Sequence, residues 1–103
     1  MSSRLSELQP WFEPWARWLI SAWPYGILTS TYRTFDEQRT LYNAYLNGSS
    51  KYPAAPPGHS YHQFGRAFDY VADPMILAQL GALWESVGGV WGGRAGDDIH
   101  FEA

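Results

Sequence analysis

Near the middle of the chain, Gly48 to His59 reads GSSKYPAAPPGH, twelve residues that neither a helix nor a strand can cross. Its three prolines remove amide donors, and its Gly, Ser and Pro clusters mark a loop, stiffened by those same prolines. With 103 residues in all, the chain has room for one domain, spanning residues 1–103, so the two stretches flanking this loop must share a core.

Before the loop, apolar residues recur at Leu5, Leu8, Trp11, Phe12, Trp15, Trp18, Leu19 and Ala22. Steps of three and four put them on one helical face, and core packing is the expected role of this tryptophan stripe. A lipid or glycan surface, or a dimer contact, is the alternative. Pro10 and Pro14 imply a short first turn, then a main helix starting near one of them and ending before Pro24. Tyr25 to Tyr32 reads as a strand. Asp36 to Leu46 reads as a helix with Leu41, Tyr42, Tyr45 and Leu46 at helical spacing, stopped by Asn47-Gly48. After the loop, Arg66 to Ala72 reads as a strand and Pro74 to Val87 as a helix with Ile76, Leu77, Leu80, Leu83, Trp84 and Val87 on its apolar side. Val90-Trp91, a glycine turn and a last strand, Ile99 to Glu102, follow. The order αβα–loop–βαβ is that of an α+β fold with a small sheet and about three helices.

A short chain without cysteine has no disulfides to help it, and no thiol nucleophile or Cys-type zinc site. It compensates with rings: 17% of residues are aromatic, and each buries a large area. Seven cations against ten acids give a net charge of −3, which argues against a protein that grips nucleic acid by its phosphates. No apolar window is long enough for a membrane span, and the N-terminus lacks the pattern of a signal peptide. Synthesis in the cytoplasm is therefore expected, as is a monomer.

Two segments concentrate chemistry: Ser60-Tyr61-His62-Gln63-Phe64-Gly65-Arg66-Ala67-Phe68-Asp69, and Asp97-Asp98-Ile99-His100-Phe101-Glu102. Strand alternation sets Asp69 on the face opposite Phe68 and Tyr70, and His100 and Glu102 opposite Ile99 and Phe101. If these strands are neighbours, His62, Asp69 and His100 converge as two imidazoles and a carboxylate. Three protein ligands with a fourth position left to water is the pattern of a catalytic zinc site. A general base is then needed, and Asp97 is available. Spacing alone leaves open the alternative of surface or hydrogen-bonded histidines. His59 reads as a plain loop histidine that could line the cleft.

Ser-x-His-x-x-Gly-x-Ala-x-Asp followed by Asp-x-x-His-Phe-Glu resembles the zinc peptidoglycan peptidases of the D-Ala-D-Ala carboxypeptidase and L-alanyl-D-glutamate endopeptidase family. Thr31-Tyr32-Arg33-Thr34 with Gln38 resembles that family's upstream element, and Trp91-Gly92-Gly93 is similar to its endolysin branch. The resemblance runs from about Leu8 to Glu102. It implies a hedgehog and DD-peptidase-like fold and one Zn2+ held by His62, Asp69 and His100. It also implies Asp97 as catalytic acid/base and Arg33 as the group that steadies the oxyanion. Ser60 and Gln38 are expected to support these groups; Glu102, on the His100 face, either orients that imidazole or is a solvated chain end. The alternative for Arg33 is a surface salt bridge to Asp36 or Glu37, and Asp98 reads as a bland neighbour.

The implied activity is that of a zinc metallopeptidase acting on bacterial peptidoglycan or muropeptides, with L-alanyl-D-glutamate as the expected bond. A D-alanyl-D-alanine carboxypeptidase and a non-catalytic zinc-stabilised wall-binding module are the alternatives. Stem peptides are anionic, so local cations such as Arg33 and Arg66 matter more than net charge. A phage lysin-like role with holin-type release to the cell wall fits this reading. Departures from the family pattern are Thr31 in place of a common Gly, a short Asp69–Asp97 stretch and a trimmed Gly92–Gly96 link.

Overall fold

In the computed structural model, which describes residues 2–103, the stretches on either side of the proline loop meet in one four-stranded sheet. Strands β1 (Ile27–Ser30), β2 (Ala67–Val71), β3 (Val90–Trp91) and β4 (His100–Glu102) lie in the order β1-β2-β4-β3, each neighbouring pair antiparallel. Helices α1 (Glu13–Ser21), α2 (Phe35–Leu46) and α3 (Pro74–Ser86) complete the α+β architecture, with short 3₁₀ turns at Leu5–Glu7, Tyr61–Phe64 and Gly92–Ala95.

Local chemistry explains where the helices start. Pro14 occupies the first turn of α1, where its missing amide is harmless. Thr34 opens α2 with a capping box: its hydroxyl accepts from the Glu37 amide at 3.1 Å, and the Glu37 carboxylate accepts from the Thr34 amide at 2.9 Å. Asp73 caps α3 by accepting from the Met75 amide, with Pro74 next in line.

The alternation of β2 sends Phe68 and Tyr70 into the core and Asp69 to the other face. Phe68 stacks on its β4 register partner Phe101 with ring centroids 5.3 Å apart. Trp84 of α3 meets Phe12, Phe68 and Phe101 edge-on, and its indole N–H donates to the Glu102 carbonyl.

The tryptophan stripe is a correction. The buried row along the first segment is Leu8, Phe12, Ala16 and Leu19, while Trp11, Trp15 and Trp18 are 52%, 46% and 38% exposed. Both rows step by three or four, so periodicity fits either, but they lie about 100° apart around a helix. The groove between Phe68 and Trp84 takes the smaller ring, Phe12, and turns the indoles outward. On α2, Tyr45 and Leu46 are likewise exposed, and the buried residue is Gln38.

Candidate metal centre

The β2–β4 register sets Asp69 directly opposite His100. His62 arrives from the end of the proline loop on the 3₁₀ turn, which Ser60 caps by accepting from the His62 amide at 3.3 Å. Gly65 ends that turn at φ 67°, a left-handed conformation in which glycine is unstrained. The chain leaving β1 fastens the turn from the other side, since the Arg33 amide donates to the His62 carbonyl.

His62 is 1% exposed. Its Nδ1 donates to the Thr31 carbonyl at 2.7 Å, which leaves Nε2 facing Asp69 Oδ1 at 3.1 Å. His100 is fixed in the same manner: Nε2 meets Glu102 Oε1 at 2.7 Å, and Nδ1 faces Asp69 Oδ1 at 3.2 Å. One ligand atom from each of the three residues lies within 4.8 Å of the others. Donors 2.0–2.1 Å from a tetrahedral zinc lie roughly 3.3 Å apart, so these separations fit such an ion. The outer partners fit it too, because an acceptor on the far ring nitrogen orients a metal-binding imidazole. Glu102 is such a partner for His100 and not a solvated chain end.

Arg33 is not in a surface bridge. Its Nη2 donates to Asp69 Oδ2 at 2.7 Å, Nε to Ser30 Oγ and Nη1 to Gln38 Oε1, whereas Asp36 pairs with Arg39. Gln38 extends the chain of contacts by donating to the Ala55 carbonyl, which ties the proline loop to Arg33. Burial alone would raise the Asp69 carboxyl, but the hydrogen bonds from His100 and His62 and the Arg33 charge hold it well below the usual carboxylate range.

Asp97 lines the same cleft as Arg33, His62 and His100, a trough of about 560 Å³. Burial pushes its carboxyl up and the Asp69 charge adds to this, against the pull of His100 and Arg33. Asp98 does not line the cleft; its carbonyl accepts from the Trp91 indole. His59 lines it as an exposed loop residue. Arg66 departs from expectation: it donates to the Ala103 carbonyl and lies over the rings of Tyr61 and Trp11, outside the cleft.

Sequence reading missed two features. A Cβ at Gly92 would collide with the Asp97 carbonyl and His100 Cβ, so that glycine lets the two site residues approach. The Glu85–Arg94 pair on the cleft wall also escaped notice, because its members are nine residues apart on different elements.

The family model VanY, D-alanyl-D-alanine carboxypeptidase, matches residues 24–91. This chain belongs to that family. The matched segment carries Arg33, His62 and Asp69, while Asp97 and His100 lie beyond it and reach the site through the β2–β4 pairing. Among solved structures, the chain is similar to the vancomycin-resistance D,D-pentapeptidase VanY from a VanB-type cassette, a Glu-to-Ala variant in complex with Zn(II). The two share 20% identity and a TM-score of 0.71, over 92% of this chain and 71% of that one, which shows a common fold. No curated protein matches the chain.

Proposed function

We propose that this family member is a zinc metallopeptidase hydrolysing an amide bond of the peptidoglycan stem peptide, with His62, Asp69 and His100 as ligands of one zinc ion. The observation that carries this reading is the convergence of both imidazoles on one Asp69 oxygen beside a cleft that Asp97 also lines. Zinc held there supplies a Lewis acid that polarises the scissile carbonyl and acidifies a water. Asp97 accepts the proton of the attacking water and delivers it to the leaving amine, a role suited to a carboxyl raised by burial. Arg33, held in place by Ser30 and Gln38, stabilises negative charge developing on the carbonyl oxygen.

L-alanyl-D-glutamate is the proposed bond. It is supported by a trough of about 560 Å³ whose wall includes Pro53 of the loop and Arg94, together with Arg33, His62, Asp97 and His100. A D-alanyl-D-alanine carboxypeptidase is the second reading, favoured by the description of the matching family. Mass spectrometry of stem-peptide fragments incubated with zinc-loaded protein separates them: a cut between L-alanine and D-glutamate supports the first, and loss of a terminal alanine the second. Asp97→Ala is expected to lower turnover by about 10²-fold or more with stoichiometric zinc retained. Loss of zinc in that variant would make Asp97 a ligand and overturn its assignment as acid/base.

A further inference from the structure

The cleft holds a second cation whose arrangement suits an acidic peptide. Of the seven Lys and Arg residues, Arg4, Arg17 and Arg39 pair with acids on the outer surface, Lys51 lies over Tyr52, and Arg66 stacks on Tyr61. Only Arg33 and Arg94 line the trough, and Arg33 is engaged by Asp69, Ser30 and Gln38. Arg94 stands on the Gly92–Ala95 turn, three residues before Asp97. Glu85 grips it through two bonds, Nε at 2.6 Å and Nη2 at 2.7 Å. Those bonds fix the plane of the guanidinium but leave Nη1 without a partner among the described residues. A guanidinium offers five N–H donors, so this one can keep Glu85 and still take a second carboxylate.

We propose that Arg94 is the specificity-determining residue of the cleft, receiving a free carboxylate of the stem peptide through Nη1, with Glu85 as its positioning residue. This rests on the peptidase reading above. The ligand class is an acidic peptide, and the discrimination is against the same peptide with that carboxylate amidated. An amide in its place removes the charge: its carbonyl oxygen can still accept from Nη1, but as a neutral hydrogen bond about half as strong as the charge-assisted one.

The test uses the zinc-loaded protein with two probes, N-acetyl-L-Ala-γ-D-Glu-L-Lys and its D-isoglutamine counterpart. The wild type is expected to favour the acid by about 10-fold or more in kcat/KM, chiefly through KM. Arg94→Gln should bring that ratio close to one, and Arg94→Lys, which keeps the charge but loses the fork, should restore part of it. Binding of both probes to the metal-free protein, followed by tryptophan fluorescence, gives a readout independent of turnover. If the wild type cleaves neither probe but binds the acid preferentially, and Arg94→Gln abolishes the preference, the peptidase reading fails while the role of Arg94 stands. Equal handling of acid and amide by the wild type overturns the inference. So does an Arg94→Gln variant that weakens both probes alike, which marks a structural role.

Discussion

Asp69 is the residue on which the site turns, because one of its oxygens faces both imidazoles and the other accepts from Arg33. Burial opposes a charge on His100, but the Asp69 and Glu102 carboxylates outweigh it and push the imidazole up to about 9. At pH 7 the metal-free protein therefore carries a proton on His100 that an incoming zinc must displace. Calorimetry in buffers of different ionisation enthalpy should show at least one proton released per zinc at pH 7, that of His100, with apparent affinity rising with pH until about 9. The sign for stability is the reverse. A raised histidine stabilises the metal-free fold fully below its ordinary value of 6.5, and that contribution is lost as pH climbs through about 9. Sequence suggested the three candidate ligands and Asp97 by type and spacing. It left the place of Arg33 open, because nothing local shows that its guanidinium reaches across 36 residues to Asp69.

Along the elements, periodicity located the helices well and their buried faces less well. Pro14 and Pro74 mark starts that follow from backbone chemistry within a turn, so they were readable, whereas local spacing starts α2 at Asp36 and misses its Thr34 cap. The choice between Phe12 and the tryptophans depends on the shape of the surface that α1 meets, which no local pattern contains. The consequence is measurable by chemical denaturation. Phe12→Ala should cost about 3–5 kcal/mol, since it empties a fully buried ring site among Phe68 and Trp84. Trp18→Ala, on the exposed row, should cost less than about 1 kcal/mol despite removing a larger side chain. The opposite ranking would mean that the indole row is covered in solution.

Across the whole molecule, the three donor residues join the 3₁₀ turn after the loop to both central strands, with His62 and His100 separated by 38 positions of chain. A ligand that binds only this folded arrangement must stabilise it. Free zinc at about 100 times its Kd adds about 2.7 kcal/mol. For a chain of this size that is a rise in Tm of roughly 10–20 °C. Scanning calorimetry with and without zinc should show it, and His62→Ala should abolish the zinc-dependent part; an unchanged Tm in the wild type would count against the metal site. The sequence by itself determined the α+β order, the alternation that keeps Asp69 and His100 off the core face, and the residue types able to hold a metal. Each of these is written within a few consecutive residues. Tertiary structure decided the rest: the pairing of Asp69 with His100, the engagement of Arg33, the buried row of α1 and the presence of Glu85 and Arg94 on the cleft wall. Those depend on contacts between distant segments, where packing and charge select one arrangement from several that the local pattern allows.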